Sequence, residues 1–168
     1  EGARSFMGVR SDGGMAQQVI VDPLMLVPLP SGLDVGIAAL VEPLAVAAHM
    51  VRRLGLEAGE RVGVIGAGPI GLAAVAILRD RGVEPVLFAR YDHQKIAGEA
   101  LGASLVTEDG FDVIIDAVGT TASIAEGVQR IRPRGRIGLV GTLWEPASLD
   151  IGLCGKEVSI IPSAGYSG

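Results

Sequence analysis

The residues best suited to chemistry form one short string, Gly66-Ala67-Gly68-Pro69-Ile70-Gly71. The apolar run Val62-Gly63-Val64-Ile65 precedes it, and Ile70 to Leu78 continues with apolar residues at helical spacing. The string therefore reads as the turn between a buried strand and a helix. In that setting each glycine has a task. Gly66 permits the tight turn, Gly68 lets the backbone approach a bound anion, and Gly71 lets the helix lie close against the strand. The helix N-terminus, opened by Pro69 and Ile70, offers unpaired N–H groups and the positive end of a dipole, which suits a pyrophosphate. In a chain with 25 glycines the string alone is weak. The strand before it and the helix after it carry the reading of a dinucleotide cradle.

The tip of the next strand bears on which dinucleotide fits. A site preferring NAD places an Asp or Glu there to accept hydrogen bonds from the ribose. Here Val86-Leu87-Phe88 ends in Ala89-Arg90-Tyr91, with no acid at the tip. A small residue followed by arginine suits a 2′-phosphate, because a guanidinium pairs with it and lies against the adenine ring. Lys95, on the following helix, adds a second charge. The residues thus favour NADP, with NAD as the alternative in which Arg90 is merely exposed and Asp92 holds the ribose. Asp92 is better placed as a helix cap. Asp116-Ala117-Val118-Gly119 and Gly138-Leu139-Val140-Gly141 also follow strands, at the sheet edge where open α/β folds bind ligands; either can equally be a routine turn.

The elements that must position these residues follow from periodicity. Residues 1 to about 41 are irregular, with Ala16 to Val21 as one strand ended by Asp22-Pro23, and read as the tail of a domain that begins before Glu1. From Glu42 the pattern is regular. Pro43 opens a helix carrying Leu44, Ala47, Ala48, Val51 and Leu54 on one face, with Arg52 and Arg53 near its end and Gly55 as its stop. Arg61 to Ile65, Pro85 to Ala89, Leu105-Val106, Phe111 to Val118, Arg136 to Val140 and Val158 to Ile161 read as strands. Helices run from Pro69 to Arg81, closed by Gly82, from a cap at Asp92 to Leu101, and from a cap at Thr120 or Thr121 to an end at Pro133. Such alternation predicts an α/β fold, a doubly wound parallel sheet covered on both faces.

Composition narrows the class. Nearly half the residues are hydrophobic and only 4% aromatic, which suits closely packed parallel sheets. A net charge of −5 without clustered Lys and Arg argues against a nucleic-acid surface; Arg130, Arg132, Arg134 and Arg136 read as a solvated corner around a Pro-Gly turn. The single cysteine, Cys154, fits a reducing compartment and reads as a small buried residue. The uncharged run Val62 to Leu78 is short for a membrane span and holds four glycines and a proline. Glu1 and Arg4 precede no apolar signal segment. The expectation is a cytoplasmic protein that engages neither membrane nor nucleic acid.

Together, Ala38-Ala39-Leu40-Val41-Glu42-Pro43-Leu44-Ala45-Val46-Ala47-Ala48-His49, Gly66 to Gly71 and Leu101-Gly102-Ala103 resemble the medium-chain dehydrogenase/reductase superfamily. Asp12-Gly13-Gly14-Met15-Ala16 resembles the glycine-rich approach to a strand of its catalytic domain, and Lys156-Glu157 is typical before its last strand. The Glu-Pro pair points to the zinc-dependent branch that includes sorbitol and threonine dehydrogenases. The resemblance implies a Rossmann domain over 42–168, preceded over 1–41 by the end of a β-rich, GroES-like catalytic domain, the whole truncated at both ends. It implies oxidation of a secondary alcohol to a ketone, with hydride passing to NADP or NAD and Zn2+ polarising the alcohol oxygen in the full-length enzyme.

By the same resemblance Val118, Gly119, Gly141 and Thr142 line the nicotinamide end, and Glu42 faces the zinc. Read without it, Glu42 is only a favourable charge at a helix start. His49 is read as packing and His93 as surface. A catalytic zinc needs about three protein ligands, and one Cys, two His and Glu42 do not supply them because the sheet separates them widely, so no catalytic residue is assigned in this chain. A small alcohol or ketone is the expected substrate, and the full-length enzyme is expected to be a homo-oligomer. The alternatives are a zinc-free quinone or enoyl-type reductase of the same superfamily and a non-catalytic nucleotide sensor.

Overall fold

The computed structural model describes residues 7–8, 11–106, 108–149 and 151–165; Glu1 and Arg4 lie outside them. The chain divides into two compact units, Glu1–Ala38 and Ala39–Gly168.

The first unit has little regular structure. Asp22 accepts a hydrogen bond from Leu24 N at 2.9 Å and starts a single 3-10 turn, Pro23–Met25. Asp34 accepts from Gly36 N and Ile37 N at the start of the short helix α1, Val35–Ala38. The strand expected over Ala16 to Val21 does not form. A strand needs a partner for its backbone groups, and none pairs with these residues among those described. Met15, Ile20, Leu24 and Val27 are exposed.

The second unit is built around a five-stranded parallel sheet in the order β2-β1-β3-β4-β5, made of β1 Val62–Ile65, β2 Val86–Phe88, β3 Phe111–Asp116, β4 Ile131–Leu139 and β5 Ser159–Pro162. The predicted strand at Leu105-Val106 is reduced to a bridge. Ser104 N donates to Pro85 O and its carbonyl accepts from Leu87 N, so this segment docks on the free edge of β2 where a sixth strand would lie. Counting that vestige, the order is the 3-2-1-4-5-6 of the doubly wound dinucleotide fold.

Alternate residues supply two cores. Val62, Val64, Leu87, Val113 and Ile115 pack against α2 (Val41–Leu54) and α3 (Pro69–Asp80), with Ala47, Met50, Val51, Ala74, Val75 and Leu78 among the buried contributors. On the other face Ile65, Val86, Phe111, Ile114 and Ile137 meet Ile124 and Val128 of α5, Thr121–Arg130. The helix α4, Asp92–Ala100, seats Gly98 against Leu87. Val35–Leu54 is the one helical stretch among the described residues long and apolar enough to cross a membrane, yet α2 buries Ala47, Met50, Val51 and Leu54 in the sheet core.

Several boundaries differ from expectation. Tyr91, not Asp92, is the cap of α4; Asp92 is its first residue. Thr120 caps α5, its Oγ1 accepting from Ser123 N at 3.1 Å. That helix ends at Arg130 rather than at Pro133, because Ile131 is buried and pairs with Phe111 while 132–135 bulge out of β4 before Arg136 pairs with Val113. Proline is tolerated in such a bulge, where no ladder N–H is required. A five-residue helix not foreseen, α6 (Ile151–Gly155), precedes β5 and packs Leu153 on the second core. Its Cys154 is exposed, not buried as expected.

Candidate functional site

The site begins where β1 ends. Gly66 N donates to Phe88 O at 3.0 Å, which fixes the turn beside the tip of β2, and Gly66 adopts φ 95°, open to glycine but costly for other residues. A Cβ on Gly71 would sit 1.9 Å from Gly66 O, so the helix can approach only because that position is glycine. At Gly68 the situation is reversed: a Cβ there would meet nothing within 4 Å. Gly68 caps α3 without a side chain, and Pro69 takes the first helical position. The first-turn N–H groups of Ile70 and Gly71 are thus left for an anion.

In the sheet order, β1 and β3 flank the switch point, and the loops leaving their carboxyl ends diverge to make a crevice. The cavity there is about 690 Å³ and is lined by Gly66, Ala67 and Gly68 from the first turn, Phe88 to Tyr91 from the tip of β2, Ala117 and Val118 from the end of β3, and α5. A second cavity, about 520 Å³, lies among Glu57, Glu60, Arg61 and Phe111, remote from the glycine turn. The buried Asp116 carboxylate shapes the far side of the first cavity. Its Oδ1 accepts from Val118 N at 2.8 Å and Gly119 N at 3.1 Å, and its Oδ2 accepts from Ser123 Oγ at 2.8 Å.

Of the residues singled out from sequence, Gly66, Gly68, Ala89, Arg90, Tyr91 and Val118 share this cavity. Pro69, Ile70 and Gly71 form the first turn of α3 behind it. Gly119, Gly141 and Thr142 meet one another at the ends of β3 and β4, with backbone so close that a Cβ on Gly119 would lie 2.6 Å from Gly141 C. Lys95 is outside the lining; its Nζ donates to Asp92 Oδ1 at 2.9 Å, and that ammonium holds the exposed Asp92 carboxyl below its ordinary value. Arg90 is exposed, 5.7 Å above the Tyr91 ring, and has no carboxylate partner among the described residues. Tyr91 stacks on His93, with centroids 5.7 Å apart and planes at 7°. Glu42 is exposed in the first turn of α2, and His49 Nδ1 lies 3.0 Å from Arg52 Nη2. Among the described residues no group of three His, Cys, Asp or Glu is placed to hold a metal ion.

The cavity also takes residues not foreseen: Gln94, Leu105, Ala122, Ser123, Glu126 and Arg130. Ala122, Glu126 and Arg130 recur every four residues, a helical stripe that was readable once Thr120 was known as the cap. The expected solvated arginine corner holds for Arg132 and Arg134, which are exposed, whereas Arg130 and Arg136 are partly buried, and all four are ion-paired. Arg130 bonds Glu126 and Asp109, Arg132 bonds Asp112, Arg134 bonds Glu157, and Arg136 bonds Glu60. Glu126 lies one helical turn before Arg130 on α5, and the other carboxylates are brought close by the tertiary fold.

Sheet order, glycine turn and crevice together define a Rossmann domain. No family model matches the sequence. It is 35% identical over 153 residues to L-galactonate-5-dehydrogenase of Escherichia coli K12, covering 82% of this chain and 45% of that protein. An alcohol dehydrogenase of Escherichia coli CFT073 solved with NADH superposes with a TM-score of 0.89 at 26% identity, over 98% of this chain and 54% of that one. A dehydrogenase of Sinorhizobium meliloti 1021 solved with NADP gives 0.85 at 26%, over 95% and 53%. The chain belongs to the medium-chain dehydrogenase/reductase superfamily, and the relatives it matches are named as polyol and alcohol dehydrogenases. It spans about half the length of the relatives it matches.

Proposed function

We propose that this chain is the NADP-binding portion of a zinc-dependent alcohol or polyol dehydrogenase that interconverts a secondary alcohol and a ketone. The observation that carries the cofactor reading is the tip of β2. Arg90 stands there without a carboxylate partner among the described residues, next to Ala89 rather than an acid, at the rim of the cavity that begins at Gly66. A guanidinium so placed pairs with a 2′-phosphate, whereas NAD would find no carboxylate for its ribose at Ala89, Arg90 or Tyr91. The pyrophosphate lies on the Ile70 and Gly71 N–H groups, with Gly68 allowing close approach. Val118, Gly119, Gly141 and Thr142 border the nicotinamide end. Lys95 adds charge from α4 at longer range.

The residues described do not assemble a zinc site by themselves. Glu42 is the one candidate ligand, and a zinc held there would take its remaining ligands from elsewhere in a longer protein. When bound, such a zinc supplies Lewis-acid polarisation of the alcohol oxygen. Residues 1–41 are assigned to the end of a GroES-like catalytic domain and 42–168 to the Rossmann domain. A cytoplasmic homo-oligomer acting on a small alcohol or ketone belongs to the same proposal.

The deciding experiment is a fluorescence titration of the purified protein with NADPH and NADH at matched salt. A clear preference for NADPH that disappears in Arg90→Ala supports the proposal. A preference for NADH overturns the choice of cofactor and leaves the fold. Metal analysis of the full-length protein tests the zinc, and absence of stoichiometric zinc would move the assignment to the zinc-free reductases of the superfamily.

A further inference from the structure

Arg130 lies at the end of α5, yet its side chain is only 20% exposed and turns into the cavity. Its guanidinium sits 4.1 Å from the centroid of the Phe88 ring. Nε donates to Glu126 Oε1 at 2.9 Å and Nη1 to Asp109 Oδ1 at 3.1 Å, while the Arg130 carbonyl accepts from Gly110 N at 2.7 Å. Two carboxylates therefore occupy this cation, which makes it a poor anchor for a ligand phosphate. What it does hold is an aromatic ring. The Phe88 ring also meets Phe111 at right angles, with centroids 5.7 Å apart and planes at 89°.

Phe88 is the last residue of β2, immediately before Ala89 and Arg90 at the ribose-reading tip, and it lines the same cavity. A nucleoside whose ribose is held at that tip carries its base past Phe88 toward α5. We infer that Arg130 is a positioning residue for the adenosine end of the site, fixing the Phe88 ring as the wall against which the base packs. This rests on the dinucleotide reading above. Glu126 and Asp109 orient the guanidinium, the guanidinium orients the ring, and the ring meets the adenine. The flat cation over a flat ring holds the ring in place, and in a partly buried setting such a contact is stronger than at an exposed site.

The test measures calorimetric affinity of the purified protein for adenosine 2′,5′-bisphosphate, which carries the adenosine end alone. Arg130→Ala is expected to weaken binding about tenfold, with Arg130→Lys recovering a large part because it keeps a cation over the ring. If Ala does not fold, Arg130→Met, which keeps the packed stem, replaces it. Phe88→Leu should weaken binding comparably, and the double variant should be no worse than the weaker single one, the non-additivity of residues that act through each other. Unchanged affinity in Arg130→Ala or Arg130→Met, or losses that multiply in the double variant, would overturn the inference while leaving the dinucleotide site intact. Failure of the unsubstituted protein to bind the bisphosphate would overturn the NADP reading, and failure to bind 5′-AMP as well would overturn the dinucleotide reading and this role with it.

Discussion

Ser123 Oγ donates a 2.8 Å hydrogen bond to Asp116 Oδ2, joining the end of β3 to the first turn of α5 through a carboxylate with no solvent exposure. Among the described residues no Lys or Arg forms an ion pair with it. Its hydrogen-bond donors are the Ser123 hydroxyl, Val118 N–H and Gly119 N–H. The pair sets the path of the 117–119 loop, and Ser123 also faces the cavity. Ser123→Ala removes one of these three donors and leaves a buried charged oxygen unpaired. The expected cost is about 1.5–3 kcal/mol. Urea unfolding of the two proteins reads it directly, and an unchanged midpoint would show that the pair contributes no net stability.

Gly68 and Gly71 separate what the turn does for folding from what it does for binding. A Cβ at Gly68 meets open space, at a φ of −78° that any residue adopts. Gly68→Ala should leave stability within about 0.5–1 kcal/mol of the original. Binding of NADPH should fall at least tenfold, since the methyl group enters the space the pyrophosphate takes. Gly71→Ala places its methyl 1.9 Å from Gly66 O and should compromise folding itself. Thermal melting beside a cofactor titration distinguishes the two; normal binding in Gly68→Ala would remove the pyrophosphate from this turn.

The glycine turn was legible because its signals are local: strand, turn and helix fall within one short stretch, and the contact that requires glycine at Gly71 is with Gly66 of the same turn. Local signals failed where partners decide. Ala16 to Val21 carries a strand composition but finds no strand to pair with, and Leu105-Val106 shrinks to the Ser104 bridge at the sheet edge. The helix α6 holds two glycines in five residues and forms by packing rather than by propensity. Arg130 read as a surface charge because nothing in its neighbourhood names Phe88 or Asp109, which the parallel sheet brings to it from distant parts of the chain. Asp116 showed only as part of a possible strand-end turn; its donors became visible once the loop and α5 were in place.

Glu60 offers a pH test with a definite sign. Burial raises its carboxyl, but the hydrogen bond and charge of Arg136 and the backbone N–H of Glu57 together bring it below the ordinary 4.5. The folded state thus binds this proton less readily than the unfolded one. The contribution is complete above the ordinary value and is lost as pH falls through the lower folded value. Arg136 also donates to Leu54 O, so the ion pair fastens the end of α2 to β4. Glu60→Gln should lower stability at neutral pH and reduce its decline between about pH 5 and pH 3. Denaturant midpoints across that range check it, and parallel curves for the two proteins would exclude the pair as a source of acid sensitivity.

Lys156 accounts physically for a residue that drew notice only as a familiar pattern before the last strand. Its Nζ donates to Val128 O at 2.7 Å, Gln129 O at 2.9 Å and Ile131 O at 2.8 Å. Those carbonyls lie at the end of α5 and the start of β4, where a helix leaves acceptors unpaired and the dipole favours a cation. Lysine supplies three donors from one point, and all three are used. Lys156→Met keeps the stem but strands the carbonyls, at an expected cost of about 1–3 kcal/mol. Because Arg130 sits at the same helix end, the substitution should also loosen the arginine from Phe88, so affinity for adenosine 2′,5′-bisphosphate should fall along with the unfolding midpoint. A loss of stability with unchanged affinity would confine Lys156 to capping and show that the Arg130 contact is held by Glu126 and Asp109 alone.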